Sequence, residues 1–481
     1  MEIDSNKPPN SIVEINYLNM LITDKKNIVA LIISILVIYV LGGIGYFTLT
    51  PPPLWVMNTF FQVLFFVVTL KIVLNISTKM NEGSFLLVVF IYIALVTALY
   101  ILVLNVVYLN SQGMPFQFYS ADGRLYYEKG LAISLLIDSN GWLGAAGDVL
   151  GLHYGISDYG FFLYNAFFLH YFGDYPVVAR CLNIIYFPAS CILLYKISKL
   201  LFSRKDYAVI SLALFAAVPN FYIYSASNLK EILMTFIMLL VIYNGIKIIQ
   251  LGKLKLFNFL ALCFSAVLLL FFRPILLMVL LFSLFISFVL SESFEKKYLV
   301  KSVIWFILIS VVTGVFVIAG DSILLLFDLA SRASENNAAA KSATSGREIV
   351  SYPIWFYLAM FPFAPFASYI SLPFKENEML IAGAQFIKAY WMYFVLAGII
   401  NNLTNKKMWG IFSILFIYYL ALAINGYTVD TRFHMLLLPI MFLIAPHGLK
   451  WNIKYSRVLL FIFLLVNVFL TFLWNYLRAG A

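Results

Sequence analysis

Asp122 and a set of arginines are the residues whose types and spacing could do chemistry in this chain. Asp122 lies just past an apolar run, in Phe118-Tyr119-Ser120-Ala121-Asp122-Gly123-Arg124-Leu125-Tyr126-Tyr127-Glu128. A helix there sets Asp122 above Tyr126 and Arg124 above Glu128. A carboxylate at such a boundary is placed to take a proton from a hydroxyl. Of the nine arginines, Arg124, Arg180, Arg273, Arg332, Arg347, Arg432 and Arg478 fall on one side of the apolar runs. Only Arg204 and Arg457 lie with most of the lysines on the other. The rule that orients membrane chains counts Lys and Arg alike, so it does not produce this split. The planar guanidinium fork, which grips a phosphate with two parallel hydrogen bonds and tolerates desolvation, does. Arg180, Arg273 and Arg432 each sit at the lip of an apolar run, where a lone charge is expensive. Snorkelling to headgroups or pairing with carboxylates accounts for any one of them. Three at one depth favour a shared anionic ligand.

The elements that hold these residues follow from composition. The chain has 481 residues, 63% hydrophobic and 11% charged, with a mean hydropathy of +0.94. Ordinary soluble domains carry about 45–50% apolar and 25% charged residues. The polar surface is too small to coat a soluble body, and disorder is excluded with it. In lipid the backbone must satisfy itself as helices or closed barrels. Barrels read as short alternating strands, whereas this chain has continuous runs, such as 27–49 and 299–320, near the ~20 residues a bilayer requires. The pattern predicts an all-α, polytopic transmembrane helical bundle of about 13 spans, with an outer loop carrying interfacial helices. The net charge of +10 is scattered between apolar runs and forms no nucleic-acid face. Cys181, Cys191 and Cys263 provide no redox or metal framework, and no metal site or cofactor is expected.

One orientation fits every lysine cluster. With the N-terminus inside, Lys25/Lys26, Lys71/Lys79, Lys196/Lys199/Lys205, Lys247/Lys253/Lys255, Lys296/Lys297, Lys406/Lys407 and Lys450/Lys454 all become cytoplasmic. Residues 1–26 then form a cytoplasmic segment, 27–83 a two-span module, and 84–481 the main transmembrane region, with outer loops near 110–176 and 321–379. The apolar stretches 161–172 and 354–374 are short or proline-broken, so they read as interfacial or re-entrant. The first outer loop holds Asp122, Glu128, Asp138, Asp148, Asp158 and Asp174 against Arg124 and Lys129, amid a crowd of Tyr, Phe and Trp. Such rings pack on sugar faces, and they also belt ordinary membrane interfaces.

Several short motifs carry a resemblance. The outer acid before a Tyr-rich helix is followed by Gly173-Asp174-Tyr175-Pro176-Val177-Val178-Ala179-Arg180-Cys181-Leu182-Asn183, then by Ala217-Val218-Pro219 with Ser227-Asn228-Leu229-Lys230-Glu231, and by Arg273-Pro274. Thr431-Arg432-Phe433-His434 leads to Pro439. In this order the chain resembles the GT-C superfamily of polyprenyl-phosphate-sugar-dependent glycosyltransferases, over roughly 119–449. The resemblance implies inverting transfer from a polyprenyl-phosphate-linked sugar to a hydroxyl of a glycan or lipid-linked glycan acceptor at the outer face. It makes Asp122 the base and Arg180, Lys230, Arg273 and Arg432 the grip on donor phosphate. Arg124, Tyr126, Glu231, Asp430 and His434 become residues that contact the sugar or orient those cations. In the family the acid commonly follows the first span as an Asp-Glu pair; here it follows the third, with Gly123 beside it, so Asp138, Asp148 and Asp158 stand as alternative bases. Lysine-rich, isoleucine-rich usage suggests a bacterial inner membrane. An O-antigen polymerase and a non-enzymatic lipid-linked sugar flippase or transporter are the competing readings. The first has no Arg followed by Gly at its usual ten-residue gap to support it, and the second would want charges inside the spans.

Overall fold

Helices begin and end in this chain where prolines, glycines and polar pairs interrupt otherwise apolar runs. The computed structural model describes residues 53–116, 121–151, 156–173, 175, 177–251, 255–290, 358, 360–363, 376–424, 431–449 and 456–480. Among them there is helix and no strand, as expected for an all-α membrane protein. In chain order the helices are α1 (Pro53–Lys79), α2 (Glu82–Gln112), α3 (Ala121–Gly151), α4 (Ile156–Phe172), α5 (Val177–Cys181), α6 (Asn183–Phe202), α7 (Lys205–Ala217) and α8 (Pro219–Ala226). Then come α9 (Glu231–Leu251), α10 (Leu256–Phe272), α11 (Pro274–Val289), α12 (Glu376–Asn401), α13 (Trp409–Ile424), α14 (Thr431–His434), α15 (Leu438–Gly448) and α16 (Ser456–Gly480). Among the described residues five helices are long and apolar enough to cross a bilayer, or six with the bent α7–α8 pair taken as one span. The spans expected at 27–49 and 299–319, and most of the second outer loop, lie outside the described residues.

The core is built by the helices that are apolar on every side. Every residue of α7 from Asp206 to Ala217 is buried, as is all of α8, and α15 is buried except at His447. Such all-round apolarity only suits a helix with neighbours on every face. The opposite case is α2, where Leu87, Ile91, Leu95, Leu99 and Leu102 form an exposed stripe at helical spacing. A row like that would be an aggregation surface in water and is the natural coat in lipid.

One expected span is broken. The apolar run 206–222 bends by 48° between α7 and α8, because Pro219 has no N–H to continue the ladder and instead starts a new helix. The Tyr222 hydroxyl donates to the Ala216 carbonyl at 2.7 Å and so satisfies an acceptor beside the break. At Gly141, where φ is +67°, α3 kinks, and it meets α4 on both sides of the kink, with Tyr126 against Phe161 before it and Trp142 against Tyr171 after it.

Close packing of α12 on α15 depends on two glycines. A Cβ on Gly448 would stand 1.9 Å from the Phe394 carbonyl oxygen, and one on Gly398 2.5 Å from that of Ile444. Small residues at such a seam let backbones touch where lipid offers no hydrophobic drive. Gly448→Ala is therefore expected to lower stability by about 1–3 kcal/mol, read as a lower unfolding midpoint in detergent. Gly83→Ala is the control, since its Cβ would meet only Asn81 Oδ1 at 3.8 Å and should leave that midpoint unchanged.

Candidate active site

The two ends of the bundle differ in chemistry. At one, Lys199 of α6 donates to both carboxylate oxygens of Glu82, at 2.6 and 2.7 Å, at the start of α2. At the other, five short pieces of chain meet: the starts of α3 and α4, the loop between α8 and α9, the α10–α11 break, and α14. Each is positioned by local sequence. The loop after α8 is tied by Asn228, whose Nδ2 donates to the Gly123 carbonyl at 3.1 Å, beside Asp122. Glu231 opens α9, where a carboxylate meets the positive end of the helix. Pro274 pushes Arg273 out of helical geometry, to φ −164° and ψ 86°, so α10 stops and α11 starts there.

Arg432 bridges two carboxylates. Its Nη1 donates to Asp122 and its Nε to Glu231. The acids differ sharply in access, with the Glu231 side chain 1% exposed and that of Asp122 45%. Beside them the Arg273 guanidinium lies 4.4 Å over the Phe433 ring, and its Nη1 is buried with no hydrogen-bond partner among the described residues. Lys230 is buried, pairs with Asp158 and donates to the Phe272 carbonyl at 3.1 Å. Asp158 also accepts from the Tyr126 hydroxyl at 2.9 Å. Burial opposes ionisation of Asp158, but the adjacent Lys230 ammonium and the hydrogen bonds from Lys230 and Tyr126 hold its carboxyl below the usual range. Burial also pulls Lys230, in its loop between α8 and α9, down to about 8 against the partial support of Asp158.

Of the residues singled out from sequence, Asp122, Tyr126, Lys230, Glu231, Arg273 and Arg432 thus come together. Arg180 does not join them. It is buried, and its Nη1 donates to Asn105 Oδ1 at 2.9 Å and to the carbonyls of Pro115 at 2.6 Å and Ala226 at 2.8 Å, pinning the end of α8. Asn183 reinforces that hold through the Ser225 carbonyl at 2.9 Å. Arg124 stays at the surface and pairs with Glu128 at 2.7 Å, the helical pairing expected of it. His434 is buried behind the cluster, with Nδ1 at 3.2 Å from Lys388 Nζ of α12. Asp430, Asp174, Arg332 and Arg347 lie outside the described residues, as does the side chain of Asp148. Asp138 is exposed and stands 3.5 Å from His170.

Three partners escape a reading of the sequence. Phe433 follows Arg432 directly and would have been found by asking what a cation at the membrane boundary rests on. Lys388 is visible as a lone charge within an apolar run. The pairing of Asp158 with Lys230, 72 positions away, has no local signal.

Residues 160–343 match the family model described as dolichyl-phosphate-mannose-protein mannosyltransferase, a GT-C superfamily family of membrane glycosyltransferases. The GT-C resemblance is thereby borne out, and the match supports a membrane glycosyltransferase that draws on polyprenyl-phosphate sugar donors. No curated protein and no solved structure matches the chain. The polymerase and transporter alternatives gain nothing from the family match.

Proposed function

We propose that the chain transfers a sugar, with inversion, from a polyprenyl-phosphate carrier to an acceptor hydroxyl at the outer face of a bacterial cytoplasmic membrane. The observation that carries this reading is the contrast between Asp122, half open to solvent, and the buried polar groups beside it. The acceptor hydroxyl gives its proton to the Asp122 carboxylate as its oxygen bonds to the anomeric carbon. The bond from that carbon to the phosphate oxygen breaks, and the carrier phosphate leaves with the electron pair. Arg273 and Lys230 meet the departing charge, Arg273 with an N–H that no described protein group uses. Arg432 holds Asp122 and Glu231 in register and places its positive charge beside the phosphate. Arg180 acts through the end of α8 on the loop that carries Lys230. By the lysine rule the Lys199–Glu82 end faces the cytoplasm and the Asp122 end faces out.

Purified protein given undecaprenyl-phosphate-linked glucose and membrane glycan should release undecaprenyl phosphate; no release from any polyprenyl-phosphate hexose sinks the proposal. Donor affinity should also fall as pH rises through about 8, where Lys230 loses the proton that binds phosphate. Stability runs the other way. Between about 8 and the ordinary lysine value of 10.5 the unfolded chain keeps a proton that the folded one has shed, so this group adds stability as pH rises. A binding loss in that window with an unchanged or higher unfolding midpoint is the expected pair of results.

A further inference from the structure

Past Glu378, Lys388 is the sole charged residue of α12, and it is buried. A charge at such depth in a span is expensive and is retained where it does something. Its Nζ lies 3.2 Å from His434 Nδ1. With Lys388 as an ammonium, which has donors only, Nδ1 is the acceptor and the imidazole is neutral with its proton on Nε2. From the other side the Tyr419 ring of α13 meets the imidazole at 5.8 Å between centroids.

His434 closes α14, a helix of only four residues that also carries Arg432 and Phe433. A single turn has little stiffness of its own, since its first N–H groups and last carbonyls have no partners within it. Tight turns then lead on toward α15, with the Met435 N–H donating to the Arg432 carbonyl at 3.3 Å and the Leu437 N–H to that of His434 at 2.9 Å. The fixed points of this short piece are therefore the side chains it presses against neighbouring helices. Lys388 provides one of them, from α12, the helix whose backbone packs against α15 at Gly398 and Gly448.

We propose that Lys388 is a positioning residue of the active site. Its hydrogen bond to His434 sets α14 so that Arg432 spans Asp122 and Glu231 while Phe433 lies under Arg273. The inference rests on the binding of donor phosphate by Arg432, Arg273 and Lys230 and adds a residue to that site. It makes a sharp distinction, because Lys388→Met relieves the cost of burying an ammonium while leaving His434 Nδ1 without its donor, two opposed effects on folding of similar size. A lysine with a merely structural part could be replaced by methionine without harm to ligand binding.

The test is binding of undecaprenyl phosphate to the full chain in lipid nanodiscs, with unfolding midpoints measured in parallel. Lys388→Met should bind at least tenfold more weakly at an unchanged midpoint. Lys388→Gln, whose amide can still donate to Nδ1, should stay within threefold of the parent. Parent-like binding by Lys388→Met overturns the proposal. So does equal damage in the Met and Gln variants, because charge and not the hydrogen bond would then matter. Should Lys388→Met fail to accumulate, the double change Lys388→Met with His434→Phe removes both polar groups and carries the same tenfold expectation, with parent-like binding again decisive against it. Arg432→Lys separates the two levels. If it binds as the parent does, the phosphate assignment at Arg432 fails and this inference with it; if it binds weakly while Lys388→Met binds normally, only the role of Lys388 is lost.

Discussion

Asp122→Asn is expected to lower sugar transfer by about 10²–10⁴-fold, the usual worth of a positioned base, with donor binding and the unfolding midpoint nearly unchanged. The amide keeps the size of the carboxylate and can still accept from Arg432 Nη1, so the site should hold its shape while losing the proton acceptor. The same change at Asp158 should behave differently. Asp158 already serves Tyr126 and Lys230, so Asp158→Asn should show as weaker donor binding through a loosened Lys230. Transfer assays at saturating donor separate the two, with Asp158→Asn recovering and Asp122→Asn not. Full turnover by Asp122→Asn would reject it as the base.

A comparably large effect is expected on stability at Arg432. Its side chain is the counter-charge of Glu231, which is 1% exposed and opens α9. Arg432→Met leaves that carboxylate buried with its ion-pair partner gone, a change that costs about 3–5 kcal/mol in buried pairs. Adding Glu231→Gln removes the stranded charge and should restore most of the lost midpoint in detergent, without restoring transfer. Such recovery marks coupling between contacting residues. An Arg432→Met midpoint equal to that of the parent would mean that the bridge contributes nothing to the fold.

How much of the fold and the site is legible from sequence depends on which physical rule each residue obeys. The helical class is plain, because lipid leaves a backbone few choices and the apolar runs are of spanning length. The ends of α10 and α11 are visible in Arg273-Pro274, and the pairing of Arg124 with Glu128 in their spacing of four. The α7–α8 break escapes notice although Pro219 announces it, because the apolar run continues across the bend. Arg180 shows the limit of reading residue types. Its guanidinium has the chemistry of a phosphate ligand, and the fold uses it to satisfy carbonyls at the end of α8, contacts that join positions up to 75 apart. Likewise nothing local to Asp158 reveals Lys230, and nothing local to Glu231 reveals Arg432, 201 positions later. Proximity of that kind is decided by how helices pack, which one sequence leaves open. The choice of Asp122 over its loop neighbours as the base gains its support from exposure and partners, two quantities that only the folded chain possesses.

Binding of a lipid phosphate among Arg273, Lys230 and Arg432, with the sugar facing Asp122, is the step on which the proposed transfer depends. It is tested most directly by cryo-electron microscopy of the protein in nanodiscs with a non-hydrolysable polyprenyl phosphonate sugar. Phosphonate density is expected within hydrogen-bond reach of Arg273, about 3 Å, with the anomeric carbon on the Asp122 side. Density for the headgroup at the Lys199–Glu82 end, or a phosphonate held by none of these three cations, would contradict it.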